Sequence, residues 1–270
     1  MSTQGPCHLY AIANQKGGVG KTTTTVNLAA SLVATKKRVL LVDLDPQGNA
    51  TMGSGINKNE LELSIYDVMM GEVVAKEALV KSEDGGYFVL PANGDLTAAE
   101  VEMLGLEQKE RRLQLALEEL KKEFDYILVD CPPSLNMLTL NALVACQGII
   151  IPMQCEYYAL EGLSALINTI NQIQANLNSS LQIEGILRTM YDPRNSLTND
   201  VSAQLTDFFG DKLYRTCIPR NVRLAEAPSF GQPVLVYDRQ SKGATAYLAL
   251  AGELIRRNEH SQKNVAKAEA

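Results

Sequence analysis

The chain has 270 residues, 46% of them hydrophobic, with 25 basic and 31 acidic side chains for a formal charge of −6. That is enough apolar material for a full core, and it excludes both a wholly disordered chain and a generally polybasic one. The charge is polarised, with 12 basic against 10 acidic residues in 181–270 and 13 against 21 in 1–180.

Taken in order, residues 9–13 read as a strand, 21–34 as a helix, and 39–42 and 87–90 as strands. Residues 97–122 carry a helical pattern, 126–129 and 148–153 read as strands, and 160–177 as a helix. The chain continues with a strand over 183–190, a helix over 196–209, a strand over 213–218 and a helix over 244–257. Several strands lack polar alternation, as strands buried on both faces do, and the helices supply covering layers. The pattern predicts an α/β fold: a doubly wound, mostly parallel sheet of about seven to eight strands with helices on both faces. No Pro-, Gly- or Ser-rich linker divides the chain and no fixed repeat appears, so residues 1–257 are expected to form one domain. Residues 258–270 are polar and are expected to fray as a disordered tail.

Cys7, Cys131, Cys146, Cys155 and Cys217 are scattered and lack CxxC spacing, which fits reduced thiols in a cytoplasmic protein. No apolar run reaches the ~18 residues of a membrane span, and no basic stretch precedes a greasy segment as in a signal peptide.

The decisive segment is Asn14-Gln15-Lys16-Gly17-Gly18-Val19-Gly20-Lys21-Thr22-Thr23, placed after the first strand and opening the first long helix. Glycines let backbone N–H groups close around phosphate oxygens, and the helix N-terminus adds positive potential. Lys21 would neutralise the terminal phosphates and the Thr22 hydroxyl would ligate Mg²⁺, which is nucleoside triphosphate chemistry. An ordinary Gly-rich turn is the bland alternative. Gln15 stands where the GxxxxGK[ST] pattern has its first Gly, and Lys16 is a second ammonium near one phosphate chain. A rim lysine of this kind could reach a second nucleotide, which suggests a face-to-face dimer; a merely solvated lysine is the alternative.

Two carboxylate segments also follow strands, Leu41-Val42-Asp43-Leu44-Asp45-Pro46-Gln47 and Ile127-Leu128-Val129-Asp130-Cys131-Pro132-Pro133-Ser134, where such a sheet presents ligands. Asp130 suits a Mg²⁺ partner acting through water, and Asp45 could orient or deprotonate the attacking water. Asp43 is expected to support rather than react. Each aspartate alone could equally be a helix cap or turn residue.

KGGVGKTTT, RVLLVDLDPQGNAT, YILVDCPPS, GILRTMYDPR and IPRNVRLAEAPSFGQPV together resemble the ParA/Soj chromosome- and plasmid-partitioning ATPases, a deviant Walker A family of P-loop NTPases. The likeness runs from about Leu9 to Gly252, and the chain starts without the helix-turn-helix extension of longer plasmid relatives, so operator binding is not expected. The resemblance implies an ATP-sandwich dimer. In it Lys16 crosses to the partner's phosphates, Gly17, Gly18, Val19, Gly20, Lys21, Thr22 and Thr23 cradle ATP, Asp45 serves hydrolysis, and Asp45 and Asp130 back Mg²⁺ through water. It further implies non-specific binding of double-stranded DNA on the nucleoid, and release when a ParB-like centromere-binding partner stimulates hydrolysis.

Arg194 and Arg223 match positions where the family places DNA-contacting arginines, with Arg220 and Lys242 as lesser candidates. The basic balance of the last third permits such a patch, although any one arginine could be an ordinary surface charge. Pro219 and Asn221 resemble the family's adenine-side loop; turn chemistry also explains them. Rival readings are a MinD-like positioning ATPase, for which the tail lacks a membrane-binding amphipathic helix, a nucleotide-dependent adaptor switch, an iron–sulfur carrier built around Cys131, and a small-molecule phosphotransferase or ligase.

Overall fold

The computed structural model describes residues 5–157 and 159–268. Eight strands form one sheet: β1 (His8–Ile12), β2 (Val39–Asp43), β3 (Val80–Lys81), β4 (Phe88–Leu90), β5 (Tyr126–Asp130), β6 (Gly148–Gln154), β7 (Gln182–Tyr191) and β8 (Leu213–Pro219). Their order is β3-β4-β2-β5-β1-β6-β7-β8, parallel throughout except where β3 runs against β4. The seven expected strands are all present. Two-residue β3 is too short to leave a periodic signal.

The helices are α1 (Lys21–Ala34), α2 (Asn49–Gly53), α3 (Ile65–Met70), α4 (Leu96–Glu102), α5 (Arg112–Leu117) and α6 (Met137–Ala145). They continue with α7 (Ala159–Asn176), α8 (Ser196–Phe209), α9 (Val222–Glu226), α10 (Val234–Tyr237) and α11 (Lys242–Ala268).

Alternation along buried strands sorts the core into two layers. Leu40 and Val42 of β2, with Ile127 and Val129 of β5, meet α3 to α8 through residues such as Met69, Leu117, Leu143, Leu166 and Leu205. Val39, Leu41, Tyr10 and Ile12 point the other way, onto Leu28 and Leu32 of α1 and Leu250 and Leu254 of α11. Each such leucine, fully buried, contributes roughly 1.5–3 kcal/mol of transfer free energy, and parallel pairing sets the register of the strand ends.

Two expectations fail. The 97–122 helix is broken into α4, short 3₁₀ turns and α5, because Leu106 is extended and Gln108 takes a left-handed φ of 51°. The break lets Leu96, Ala99 and Met103 on one side and Leu113 and Leu117 on the other reach the same core. The polar stretch from Asn258 does not fray at its start: α11 continues to Ala268, and Asn258 is buried. Its side chain accepts from the Tyr10 hydroxyl at 2.8 Å and donates to the Tyr126 hydroxyl at 3.0 Å, tying α11 to the lower ends of β1 and β5. Residues 269–270 lie outside those described.

Candidate functional site

Parallel pairing places the ends of three strands at one point. Asp130 of β5 lies opposite Asp43 of β2 on one side and Ile12 of β1 on the other. From β1 the chain crosses past β5 to β2, and from β5 it crosses back past β1 to β6, so a crevice opens at the carboxyl ends of β1 and β5. The Gly-rich loop leaves β1 into this crevice.

Within the loop Gly18 and Gly20 have φ of 72° and 88°, which side-chain-bearing residues rarely adopt. Gly20 is the N-cap of α1, and no side chain caps the helix, so its first amides remain available to an anion. Asn14 pins the loop, donating to the Pro152 carbonyl at 2.8 Å and accepting from the Lys16 amide at 3.0 Å. Lys21 is buried among the loop's backbone and donates to the Lys16 carbonyl at 3.2 Å. Burial pulls its pKa down against the pull of Asp130, Cys131 and Asp45. A desolvated ammonium held short of direct carboxylate contact is matched to phosphate.

The carboxylates divide the work. Asp130 accepts from Thr22 Oγ1 at 2.7 Å and from Thr25 Oγ1 at 2.8 Å. Asp43 accepts from the backbone and hydroxyl of Thr51, both at 2.8 Å, and from the Asp45 amide at 3.1 Å. Both side chains are wholly buried, and that burial, together with the charge of its neighbour, pushes Asp130 well above the usual carboxylate range. Asp43 moves the same way, opposed by its bonds from Thr51. Asp45, just past β2 and half-buried, spends one oxygen on the Gln47 amide at 3.0 Å. The Thr22 hydroxyl, Asp130 and Asp45 offer hard oxygens of the kind Mg²⁺ takes together with substrate phosphates, while among the described residues no group of three or more His, Cys, Asp or Glu side chains is drawn together to hold a metal ion by itself.

Beside the loop is a cavity of about 190 Å³ lined by Gly20, Thr23, Thr189, Met190, Pro219 and Asn221, among others. Pro219 and Asn221 thus meet the phosphate loop across one hollow. Asn221 also caps α9, its side-chain oxygen accepting from the Leu224 amide at 3.3 Å. Lys16 is exposed, and its ammonium pairs with Glu156 at 2.5 Å in the same chain.

Of the four basic candidates, Arg194 and Arg220 lie on the loops after β7 and β8, Arg223 in the short α9, and Lys242 at the start of α11. A second groove is lined by Pro193, Pro219 and Lys242, next to Arg194 and Arg220. Arg194 is 88% exposed and doubly bonded to Asp192, at 2.9 and 2.7 Å, which holds that carboxyl down at about 2. Arg223 pairs with Glu226 at 2.8 Å and Asp238 at 3.2 Å.

Residues 7–183 match the family model described as an AAA domain. The chromosome partitioning protein ParA of Caulobacter vibrioides is 49% identical over 97% of this chain and 98% of its own length. The sporulation initiation inhibitor protein Soj of Bacillus subtilis is 51% identical over 91% and 97%. The chain belongs to the ParA/Soj family of partitioning ATPases. Among solved structures, a Mycobacterium smegmatis protein described as cobyrinic acid a,c-diamide synthase, with bound ADP and magnesium, is 39% identical with a TM-score of 0.83, covering 94% of this chain and 96% of that one. The septum site-determining protein MinD of Pyrococcus horikoshii, complexed with Mg-ADP, has a TM-score of 0.76 at 24% identity over 92% and 96%, a likeness of fold alone. Among the described residues no helix is long and apolar enough to cross a membrane, and no His, Cys, Asp and Glu cluster of metal-binding type forms around Cys131.

Sequence reading of this ParA/Soj chain missed three contributors. Thr25 sits one turn after Lys21 and shares Asp130 with Thr22; its place in a run of four threonines hid it. Thr189 donates to the Val19 carbonyl at 2.8 Å, joining β7 to the phosphate loop. Met190 lines the same cavity as Pro219 and Asn221, with a left-handed φ of 48°, and neither Thr189 nor Met190 carries a local motif.

Proposed function

We propose that the protein is an ATP-driven partitioning switch that hydrolyses ATP to ADP and phosphate. The observation that carries this reading is the convergence of Lys21, Thr22 and two buried aspartates, joined through the Thr22–Asp130 hydrogen bond, in a family whose relatives are named for chromosome partitioning.

In this reading residues 16–23 wrap the phosphates and the cavity at Pro219 and Asn221 takes the base. Thr22 would hold Mg²⁺ directly, with Asp130 and Asp45 behind it through water, and the ion would supply positive charge to the phosphate oxygens. Asp130 accepts the Thr22 hydroxyl proton in a hydrogen bond, which leaves the oxygen's lone pairs to a cation. Lys21 offsets the charge that develops on the terminal phosphoryl, and Asp45 orients the attacking water. Lys16 leaves Glu156 for the phosphates bound by a second copy, completing both sites only in the dimer. The dimer then doubles the basic patch of Arg194, Arg220, Arg223 and Lys242, so that double-stranded DNA of the nucleoid is held only in the ATP state. A ParB-like partner accelerates hydrolysis and releases the subunits into the cytoplasm.

The M. smegmatis protein, described as a diamide synthase, supports a second reading, an ATP-dependent ligase acting on a carboxylic acid. Phosphate release separates the two. Acceleration by DNA with a centromere-binding partner is expected, and acceleration by a metabolite carboxylate instead would favour the ligase. Arg194→Ala with Arg223→Ala is expected to abolish DNA retention at unchanged nucleotide affinity, and unchanged retention would contradict the assignment.

A further inference from the structure

The outer side of β8, the last strand of the sheet, borders a groove much larger than the base-side cavity. It runs between the turn after α8 and the middle of α11, and Lys212, Arg215, Arg256 and His260 stand along it. Lys212, Arg215 and Arg256 are exposed, and among the described residues none of the three is ion-paired or hydrogen-bonded through its side chain. The groove also meets the one beside Pro193 and Lys242, because Thr216 and Ala249 line both.

The acids near this track are mostly committed elsewhere. Glu253 accepts from the Arg215 and Thr216 amides, both at 2.9 Å, and from Arg257, also at 2.9 Å. Glu184 is half-buried on β7, and Asp211 is the one exposed acid lining the groove. Side chains also occupy backbone groups in the first half of β8: Glu253 takes the Arg215 and Thr216 amides, and Arg257 and Arg188 each donate at 2.8 Å to the Leu213 and Tyr214 carbonyls.

We infer that this groove carries the phosphate backbone of duplex DNA onward from the Arg194 and Lys242 patch, with Lys212, Arg215 and Arg256 as its contacts. The inference rests on the DNA-binding reading above. β8 rises roughly 20 Å from Leu213 to Pro219, at about 3.3 Å per residue, and a duplex carries one charge per about 1.7 Å of axis. A track of that length passes several phosphates, so three free cations along it are each within the reach of one. They contact no base edge and would add affinity without sequence preference.

The test uses the full chain saturated with an uncleavable ATP analogue and a 60-base-pair duplex, a probe length of about six helical turns, over a salt series. Lys212→Ala, Arg215→Ala and Arg256→Ala combined should weaken retention more than tenfold and flatten the log–log salt slope by about 2 to 3, at ~0.9 per phosphate contact. Analogue affinity and dimer formation should stay unchanged, and Arg215→Lys with Arg256→Lys should keep most of the binding. Unchanged retention and slope in the triple variant, alongside loss in the Arg194→Ala, Arg223→Ala variant, would overturn the groove while leaving the partitioning reading intact. A wild type that retains no DNA overturns both. Tighter binding of polyglutamate than of duplex at equal charge would overturn the choice of partner.

Discussion

Lys21 and Asp130 stand 109 positions apart in the chain, yet the fold buries both beside the Gly-rich loop, where the proposed function gives them one anion and its cation. Lys21 loses hydration with no carboxylate in contact, and Asp130 is buried beside Asp43. Lys21→Ala is therefore expected to cost nucleotide affinity at least a hundredfold, read by a fluorescent ATP analogue, with thermal stability of the empty protein preserved or raised. Asp130 has a folded pKa above its unfolded one. The folded state then binds the extra proton, and stability of the empty protein falls as pH rises from about 4 through that raised pKa. Asp130→Asn should flatten this fall in urea titrations and at the same time abolish Mg²⁺-dependent nucleotide binding. A variant with the wild-type pH profile would contradict the strained-carboxylate account. Asp45 is of another kind: its carboxylate is half-exposed and lightly bonded, as a water-orienting group must be, so Asp45→Ala should keep ATP binding and lose turnover.

Elements were legible where burial imposed a period. All seven strands long enough to show one were readable, as was α1, whose start follows from the Gly-rich loop, and α8, whose Asn195 cap accepts from the Leu197 amide at 3.0 Å. The loop residues Lys16 to Thr23 and both strand-end aspartates were legible for the same reason: a motif at a strand end has a fixed address in a parallel sheet. Thr189 and Met190 were not, since their roles come from β7 lying against the loop of β1, a long-range contact with no local trace. The α4–α5 break was hidden because both halves keep apolar residues at helical spacing. The continuation of α11 was hidden because a polar stretch gives no sign that one asparagine will be buried between two tyrosines. Asn258→Ala leaves the Tyr10 and Tyr126 hydroxyls short of a partner, at about 1–3 kcal/mol per unsatisfied group. Urea unfolding should show a loss of about 2 kcal/mol or more, and none if α11 is only loosely docked.

At the scale of the whole molecule, the nucleotide site and the basic patch share their scaffolding. β7 delivers Thr189 to the Gly-rich loop, and Arg194 follows four residues after the cavity-lining Met190. β8 delivers Pro219 to the cavity, then Arg220, Asn221 and Arg223 to its rim. Under the proposed function the base of ATP and the DNA backbone would thus be met by adjacent ends of the same two strands, β7 and β8. The isolated chain keeps its key cations occupied, Lys16 by Glu156, Arg194 by Asp192 and Arg223 by Glu226 and Asp238. Exposed pairs of this kind are worth little and exchange readily for phosphate. Pairing across two copies is the step on which the rest depends, and light scattering of the purified chain with Mg²⁺ and an uncleavable ATP analogue measures it directly. A doubling of mass that Lys16→Ala abolishes is the predicted result; a wild-type chain that stays monomeric at saturating analogue would contradict the account.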